Sequence, residues 1–391
     1  ARPPARPPAR RRQEERAPVP RNYHYMVKTP PPLPPGPLGA ALADLAGDRH
    51  GPRLLAWRRF PPCGAVLSPL PPWLDPALRA ALAARGVMSL YSHQAESLRA
   101  ARAGRHVLVA TPTASGKSLC FHLPVLQALS EDARATALYL FPTKALARQQ
   151  EEDLRRLGGE GAAVFSFDGD TPADLRELAR ARARVLCTNP ETVHHVLLPS
   201  HRRWRRLWAH LRYVVVDEAH AYPGLAGCHL ANLFRRLRRV AGFHGSRPAF
   251  LLGTATVADP PALARLLLDG EDAAVVTASG APAGERHFLI ADGGTGRDAR
   301  LRAAARVAAP FLRHRVPTLL FAPTRVECER LALALRPLAG AGAVAAYRAG
   351  YLPQERRRLE EALRRGEVLA LVATCALEVG IDAPKIGRAH V

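Results

Sequence analysis

Short apolar runs alternate with amphipathic segments through most of the chain. The runs are rich in Val, Leu, Ala and Phe and lie at 106–110, 137–141, 162–167, 184–188, 212–216 and 249–253. The segments between them carry apolar residues at helical spacing, and 76–86 has a proline in its first turn and a glycine at its end. Strands that alternate with helices form a parallel sheet covered on both faces. The pattern therefore predicts an α/β fold.

The same alternation returns near the C-terminal end of the chain. A helical segment at 296–315 precedes a strand, loop and helix at 318–331. The N-terminal region is different, because repeated ARPP sequences and the run PPPLPPGP disfavour a helix or a central strand. We therefore predict a disordered Pro/Arg-rich arm at 1–50, a first α/β domain with a helical lead-in at 51–290, and a second, partial α/β domain at 291–391.

A loop of small residues links the run 106–110 to the next helical segment. It reads ATPTASGKS at 110–118. Such a loop cradles phosphate, since its backbone N–H groups point at the anion, the lysine reaches the β- and γ-phosphates and the hydroxyl binds Mg²⁺. Thr111 stands where the G-x-x-x-x-G-K-S/T pattern has its first glycine. The predicted phosphate-binding residues are Thr111, Thr113, Ala114, Ser115, Gly116, Lys117 and Ser118.

The segment LYSHQ, at 90–94, opens the helix that precedes this loop. The amide of Gln94 matches the donor and acceptor pattern of an adenine edge, and the ring of Tyr91 offers a face on which the base can stack. An ordinary capped helix start would explain the same residues equally well. Both interpretations stay open at this point.

Polar residues follow four of the predicted strands where those strands end. The four segments are PTKALARQQ from Pro142, NPETVHH from Asn189, DEAH at 217–220 and TAT at 254–256. Functional loops of parallel sheets lie beyond the carboxyl ends of the strands, so we expect these segments at one edge. Asp217 can hold Mg²⁺, and Glu218 can orient and deprotonate the water that attacks the γ-phosphate. The alternative is a helix start at which the macrodipole favours acidic residues.

Six segments of the sequence, taken in order, resemble the motifs of superfamily 2 DEAD/DEAH-box helicases. They are LYSHQ, ATPTASGKS, PTKALARQQ, TNPETVH, VVVDEAH and GTAT. The segment TASGKS and the residues after DEAH are similar in sequence to those of the YprA-like ATP-dependent DNA helicases of the mitomycin repair factor type. The resemblance runs from about residue 73 to residue 382. It implies two tandem RecA-like domains of the P-loop NTPase type, with ATP and Mg²⁺ bound to the first and enclosed when the second closes.

The resemblance also implies roles for individual residues. It assigns catalysis to Lys117, Asp217, Glu218 and His220, the metal to Ser118 and Asp217, and the coupling of hydrolysis to domain movement to Thr254 and Thr256. It assigns nucleic-acid contacts to Thr143, Lys144, Thr188, Asn189, Arg325, Arg348 and Thr374. Gly380 and Asp382 match a second-domain motif that touches the nucleotide, in which Cys375 replaces a frequent Asn. Contacts to the strand go mainly to phosphates and are largely independent of base sequence.

The amino-acid composition adds little to the predicted fold and function. The net charge is 56 − 34 = +22 and the pI is about 11.0, which favours a polyanionic partner, although an arginine-rich composition explains part of the charge. The six cysteines never form C-x-x-C, so neither a zinc ribbon nor a disulfide framework is indicated. No apolar run reaches membrane-spanning length and no signal peptide opens the sequence. We therefore expect a cytoplasmic protein, associated with the nucleoid if it is bacterial.

The sequence departs from the family pattern after Asp382, where it reads APKIGRAHV. It does not contain the family's motif VI, whose arginine stabilises the γ-phosphate in the transition state. We hypothesise that 385–391 is a translated sequencing adapter and that the gene continues. Because an arginine finger contributes roughly 10³–10⁵ in rate, we expect the isolated chain to hydrolyse ATP weakly.

The leading hypothesis is an ATP-dependent helicase or translocase that moves along single-stranded DNA, or along a duplex with a single-stranded tail, and unwinds the duplex. An RNA helicase is the alternative within this class, because backbone contacts do not distinguish the two nucleic acids. From a different class, this chain alone could act as a nucleic-acid clamp that binds ATP without hydrolysing it. Intact Lys117 and Glu218 argue against the clamp for the full gene, whereas the missing motif VI argues for it in this chain.

Overall fold

Parallel strands in two sheets form the framework of the protein. The computed structural model describes residues 31–48, 51–374 and 387–388. The strands are β1 (Leu54–Phe60), β2 (Leu67–Pro69), β3 (Ser89–Tyr91), β4 (His106–Ala110), β5 (Thr136–Leu140), β6 (Val164–Ser166), β7 (Val185–Thr188), β8 (Leu211–Val216), β9 (Ala249–Thr254), β10 (Ala273–Val276), β11 (Arg286–Ala291), β12 (Thr318–Phe321), β13 (Val344–Tyr347), β14 (Ala370–Ala373) and β15 (Gly387–Arg388).

Helices connect most of the successive strands, as the alternating pattern predicts. The α-helices are α1 (Pro37–Gly47), α2 (Pro76–Ala84), α3 (Ser92–Arg102), α4 (Lys117–Glu131), α5 (Lys144–Gly158), α6 (Ala173–Arg182), α7 (Pro190–Thr192), α8 (Arg205–Ala209), α9 (Leu225–Phe243), α10 (Pro260–Leu267), α11 (Arg297–Arg313), α12 (Arg325–Ala339) and α13 (Pro353–Arg365). Within the described ranges, none of these helices combines the length and the apolar character needed to cross a membrane.

The larger sheet has the strand order β10-β4-β9-β8-β5-β7-β6, and all neighbouring strands in it run parallel. Successive residues of a strand point to opposite faces. Ala137 and Tyr139 therefore join the apolar cluster that includes residues of α3, α4 and α5, whereas Leu138 and Leu140 join the cluster that includes residues of α9 and α10. Burial on both faces explains why these strands read as continuous apolar runs. All six runs of the sequence lie in this sheet.

The smaller sheet has the order β13-β14-β12-β15 in the part of the chain that is described, again with parallel neighbours. Leu312 of α11 and Leu331 of α12 pack with Leu320 and Val372 on one face. Leu363 of α13 belongs to a separate apolar cluster on the other face, with residues of β12, β13 and β14. The predicted α/β fold with two parallel sheets is confirmed.

Helix α1 corrects the prediction of a disordered arm over residues 1–50. Pro37 is the first residue of the helix, where the missing N–H of proline removes no hydrogen bond, and the sequence GAALADLA propagates it. Leu45 is buried, and Asp44 lies 3.0 Å from Nε2 of His314, just after α11. The prediction considered the prolines and missed the helix-forming residues that follow them. The first thirty residues of the predicted arm lie outside the described ranges.

Strands β1 and β11 form an antiparallel ribbon that the sequence pattern does not predict. The register pairs Trp57 with Leu289 and Phe60 with Arg286. The indole N–H of Trp57 donates a hydrogen bond of 2.9 Å to Nδ1 of His287, which lies 230 residues away in the sequence. Two arginines interrupt the apolar pattern of β1, and a partner this distant leaves no local signal. The ribbon joins the start of the first predicted domain to the segment that leads to the smaller sheet.

Candidate functional site

The phosphate loop lies between β4 and α4, at the carboxyl end of β4. Its backbone turns through two residues with positive φ, Ala114 at 60° and Gly116 at 79°. The φ of Gly116 favours glycine, and a Cβ there would also lie 2.7 Å from the amide nitrogen of Gln94. Helix α4 begins at the next residue, and the first N–H groups of a helix have no partner within it. With Thr113 exposed at the tip and Ser118 half-buried, the loop has the geometry of an anion site.

Lys117, the first residue of α4, is 9% exposed, and the loop itself holds its ammonium group. Nζ donates hydrogen bonds of 3.0 Å to the carbonyl oxygens of Thr111 and Pro112. The hydroxyl of Thr111 lies 2.8 Å from that of Ser115, which ties the two ends of the loop together. Burial lowers the pKa of Lys117, and the carboxylates that follow β8 oppose this shift. The lysine and these carboxylates therefore share one electrostatic environment.

Gln94 is 3% exposed and lies against the phosphate loop. Its Nε2 donates to the carbonyl of Gly116 at 2.9 Å, and its Oε1 accepts the backbone N–H of Tyr91 at 2.9 Å. A carboxamide has a second N–H and a second lone pair, so one donor and one acceptor remain for an adenine edge. The capped helix start, which was the alternative interpretation, is present in the structure. The adenine contact of Gln94 and the stacking of Tyr91 stay predictions.

Asp217 and Glu218 follow β8 directly. The backbone N–H of Glu218 donates to Asp217 Oδ1 at 2.9 Å, and Glu218 has a φ of 52°, a costly conformation that is concentrated at functional sites. Burial, with the neighbouring Glu218 charge, raises the pKa of Asp217 to about 6. Burial also raises the pKa of Glu218, whose Oε2 accepts no hydrogen bond from the described residues. The two carboxylates are thus poorly compensated by the protein and suit a cation or a bound water.

His220 connects these acids to the segment after β9. Its Nδ1 accepts the backbone N–H of Ala255 at 3.1 Å, so this nitrogen carries no proton. The 3.3 Å contact from the same nitrogen to Glu218 Oε2 is therefore not a hydrogen bond. Thr254 is fully buried with no hydrogen-bond partner for its hydroxyl in the described part of the chain, whereas Thr256 is exposed. The structure brings DEAH and TAT together, and the coupling role of the two threonines stays a prediction.

A shallow groove lies at the same sheet edge, beyond β5, β6 and β7. It is lined by Thr143, Lys144, Ala147, Arg148, Ser166, Asp168, Cys187, Thr188 and Asn189. Four of these residues were predicted to contact nucleic acid. Thr143 and Asn189 cap the helices that begin there, and their side-chain oxygens accept backbone N–H groups of α5 and α7. Thr188 is buried and donates its hydroxyl to the carbonyl of Phe167, so that hydrogen is already used.

Lys144 is an exposed cation of this groove and pairs with acids of the loop between β6 and α6. Its Nζ contacts the carboxylate of Asp170 and lies 3.9 Å from Asp168 Oδ2. The hydrogen bond with Asp170 raises the pKa of Lys144. A carboxylate thus contacts the ammonium group that is predicted to bind a phosphate. Neither aspartate was predicted as a site residue, although both follow the apolar run 162–167 as polar residues after a strand end.

Arg325 and Arg348 converge at the carboxyl edge of the smaller sheet. A Cβ on Gly350 would lie 3.3 Å from Nη1 of Arg348 and 3.7 Å from Nη1 of Arg325. Arg348 also donates to Glu329 at 2.7 Å, and Thr374 is buried at the end of β14. Two adjacent guanidinium groups suit a phosphate, and the nucleic-acid contacts of these residues stay predictions. The remaining predicted residues of this edge, Cys375, Gly380 and Asp382, lie outside the described residues.

Comparison with known proteins shows which domain this chain contains and which proteins it is similar to. Residues 91–263 match the DEAD/DEAH box helicase family. The chain therefore contains a DEAD/DEAH box helicase domain. It is 38% identical over 363 residues to the ATP-dependent helicase YprA of Bacillus subtilis, an alignment that covers 90% of this chain and 48% of that protein. It is 34% identical over 340 residues to the ATP-dependent helicase hrq1 of Schizosaccharomyces pombe, covering 82% of this chain and 32% of that protein.

Solved structures of helicases share the fold of this chain. The crystal structure of the DUF1998 helicase MrfA bound to DNA matches with a TM-score of 0.82 and 37% identity, over 89% of this chain and 51% of that chain. MrfA bound to DNA and AMPPNP matches with a TM-score of 0.80 and 37% identity, over 88% and 50%. The chain spans about half the length of YprA. The predicted RecA-like fold and the resemblance to YprA-like helicases are confirmed.

Proposed function

We propose that the protein to which this chain belongs is an ATP-dependent DNA helicase, which hydrolyses ATP to move along one strand and unwind duplex DNA. One observation carries the proposal, namely that two groups of polar residues lie side by side at the carboxyl edge of one sheet. Strands β4, β8 and β9 end at the phosphate loop, the acids and the TAT segment, respectively, whereas β5, β6 and β7 end at the groove that contains Lys144. This chain spans only about half the length of YprA. The proposed activity is therefore that of the whole protein and not of this chain alone.

Hydrolysis of ATP needs a cation on the phosphates and a base for the attacking water. Lys117 is the cation, since its Nζ can exchange the carbonyls of Thr111 and Pro112 for phosphate oxygens. Glu218 is the base, because its raised pKa favours proton uptake and its Oε2 can accept a hydrogen bond from water. The contact of His220 with Ala255 then offers a route from the γ-phosphate position to the segment after β9.

The residues at this edge also fit Mg²⁺. Carboxylate and hydroxyl oxygens are ligands that this ion prefers. Asp217 and Glu218 are adjacent carboxylates, and the raised pKa of Asp217, about 6, reflects a charge that the protein alone leaves uncompensated. We infer that Asp217 and the hydroxyl of Ser118 hold the ion. Mg²⁺ bound there would neutralise charge on the β- and γ-phosphates.

The groove at Lys144 and the arginine pair of the smaller sheet are the proposed contacts for the strand. Lys144, Arg325 and Arg348 supply positive charge, while Thr143 and Asn189 lie at the starts of helices, which attract phosphate. Cycles of closure and opening would then move the protein along the strand. DNA is favoured over RNA because MrfA, 37% identical to this chain, is bound to DNA in its structures. We further propose a cytoplasmic location, at the nucleoid in a bacterial cell.

Binding of both ligands by the purified chain tests the proposal. We expect AMPPNP to bind and to strengthen the binding of a fluorescent single-stranded DNA, measured by anisotropy. RNA of the same length and sequence should bind more weakly, and tighter binding of RNA would contradict DNA as the substrate. A chain that binds no nucleotide would contradict the ATP site itself.

A further inference from the structure

The imidazole of His93 bridges the phosphate loop and the segment that leads to the smaller sheet. His93 is the second residue of α3 and is fully buried. Its Nε2 lies 3.1 Å from the carbonyl oxygen of Ser115 in the loop. Its Nδ1 accepts the backbone N–H of Gly280 at 3.1 Å. One side chain therefore links two segments that are far apart in the sequence, and no motif interpretation had assigned it a role.

Both ring nitrogens of His93 are used, which fixes its protonation state. A backbone N–H can only donate, so Nδ1 is the acceptor and the proton lies on Nε2, which donates to Ser115. Burial lowers the pKa of His93 and so favours the neutral ring. The ring of Tyr91 is stacked on it at a centroid distance of 5.9 Å and an interplanar angle of 13°. The imidazole is therefore a fixed connector between its two partners.

The segment on the far side of this bridge is tightly packed. A Cβ on Gly280 would lie 2.3 Å from Oγ of Ser92 and 2.8 Å from the carbonyl oxygen of Val66, so glycine is required. The N–H of Val66 donates to the carbonyl of Gly280 at 2.8 Å, and the N–H of Ser92 donates to the carbonyl of Val66 at 2.8 Å. These contacts tie Gly280 to Val66 and to the start of α3, so a displacement of Gly280 is shared with both.

From Gly280 the contacts continue to the elements that precede the smaller sheet. Cys63 and Ala283 exchange backbone hydrogen bonds of 2.9 and 3.1 Å, and β11 begins three residues later and pairs with β1. Helix α11, which packs on the smaller sheet, begins soon after β11 ends. Hydrogen bonds and the short covalent segment from Gly280 to Ala283 together connect the phosphate loop to the segment between the two sheets.

We propose that His93 is a positioning residue that couples nucleotide binding at the phosphate loop to the segment leading to the smaller sheet. The inference rests on the proposed function, since it requires the loop to bind nucleotide. An anion in the loop draws the backbone N–H groups towards it, which reorients the peptide of Ser115, and the imidazole transmits the displacement to Gly280. This route differs from the contact of His220 with Ala255, which begins at the acids.

Two substitutions break the bridge at opposite ends. In His93→Asn the amide oxygen lies near the position of Nδ1 and can keep the bond from Gly280, whereas in His93→Gln the amide nitrogen lies near the position of Nε2 and can keep the bond to Ser115. Ser97→Ala is the matched control. It removes a buried hydroxyl that donates to the backbone carbonyl of His93 at 2.7 Å and leaves the imidazole unchanged.

Hydrogen exchange of peptides covering 276–291, measured with and without AMPPNP, reports the coupling, and AMPPNP affinity is measured in parallel. In the wild-type chain and in Ser97→Ala, AMPPNP should slow exchange by at least about fivefold, the lower end of usual coupling between sites. Both His93 variants should lose this response, while His93→Gln keeps an affinity for AMPPNP close to that of the wild type. A purely structural role would change thermal stability and not the response to nucleotide.

Several outcomes would overturn the coupling role of His93. A full response in either His93 variant would exclude the bridge as the route, and loss of AMPPNP binding in His93→Gln would reduce His93 to a residue that shapes the loop. A wild-type chain that binds AMPPNP without any change in exchange overturns the coupling and leaves the proposed function intact, whereas failure to bind AMPPNP overturns both. If His93→Asn does not fold, His93→Gln decides alone, since losing one bond breaks the bridge.

Discussion

Lys117 and Lys144 follow strands of the same sheet, at the same edge, yet they lie in opposite environments. Lys117 is 9% exposed and donates to two backbone carbonyls of its own loop. The side chain of Lys144 is 44% exposed and pairs with Asp168 and Asp170. Burial lowers the pKa of Lys117, whereas the hydrogen bond with Asp170 raises the pKa of Lys144. One sheet edge therefore presents a buried and an exposed lysine.

The difference shows how one edge can serve two ligands. A buried charge interacts strongly with fixed partners, which suits the phosphates of a nucleotide that must be held for chemistry. An exposed charge is screened by salt and exchanges its partner easily, which suits a strand that must slide. The acids near Lys117 are themselves buried or half-buried, and those near Lys144 include the well exposed Asp170. Burial, rather than residue type, distinguishes the half of the sheet edge at the phosphate loop from the half at the groove of Lys144.

The largest expected effect is on nucleotide binding at the buried lysine. In Lys117→Met the side chain fills the same volume without its charge, so we expect mant-ATP to bind roughly 100-fold more weakly, about 3 kcal/mol for lost charged hydrogen bonds. Fluorescence titration measures the affinity. A thermal melting temperature close to that of the wild type is the control for folding. Unchanged nucleotide affinity would show that Lys117 does not contact the phosphates.

His122 gives a second test, because it connects helix α4, which follows the phosphate loop, to strand β5, which leads to the groove at Lys144. This residue of α4 lies 3.2 Å from the hydroxyl of Tyr139 in β5, and burial lowers its pKa to about 3. Above about pH 6.5 the ring is neutral in the folded and in the unfolded chain and adds no pH dependence. Below that pH the unfolded chain binds a proton that the folded chain does not, so the free energy of unfolding falls, by about 1.4 kcal/mol at about pH 5.5.

Urea unfolding at about pH 7.5 and about pH 5.5 measures this effect, with His122→Gln as the comparison. The wild-type midpoint should fall more between the two pH values than the midpoint of the variant. An equal fall in both proteins would show that another group, not His122, makes the fold sensitive to acid.

The exposed lysine should give a smaller effect that depends on salt. Loss of one phosphate contact in Lys144→Met should weaken single-stranded DNA about fivefold at about 0.1 M salt and reduce the salt slope by about 0.7. Anisotropy titrations over a range of salt measure both quantities. Arg134→Met is the control, because this exposed arginine precedes β5 and lies at the opposite edge of the sheet. A similar loss in the control would indicate a general effect of charge.

The smallest expected effect has the opposite sign. Asp170 competes with phosphate for Lys144, so Asp170→Asn should strengthen the binding of single-stranded DNA about twofold, as expected for an exposed ion pair. The same anisotropy assay applies, with Asp174→Asn, an exposed acid in the first turn of α6, as the matched control. Tighter binding by the control alone, or weaker binding by Asp170→Asn, would exclude the competition.

The sequence was sufficient to predict the sheets and the phosphate loop, for a physical reason. Parallel strands buried on both faces must be continuously apolar, so β4 to β9 are visible without knowledge of their partners. Each polar segment that follows such a strand then lies at the same edge of the sheet, because the carboxyl ends of parallel strands are all at that edge. The position of Lys117 at the start of α4 and of the acids after β8 follows from these local patterns.

Features that depend on distant partners were not predictable in this way. The ribbon of β1 and β11 needs a partner 230 residues away, and the bridge from Ser115 through His93 to Gly280 joins three separate segments. Helix α1 was missed because the prolines before it dominated the local composition. The pairing of Lys144 with Asp170 was also invisible, since ion pairs between exposed groups leave no periodic pattern.

A crossed titration tests the division of the sheet edge most directly. Lys117→Met and Lys144→Met are each titrated with mant-ATP and, in the absence of nucleotide, with single-stranded DNA at about 0.1 M salt. We predict that Lys117→Met binds mant-ATP roughly 100-fold more weakly and keeps the DNA affinity of the wild type. Lys144→Met should bind DNA about fivefold more weakly and keep the nucleotide affinity of the wild type. If both variants bound both ligands more weakly to the same degree, the phosphate loop and the groove at Lys144 would form one site, which would contradict the proposed division.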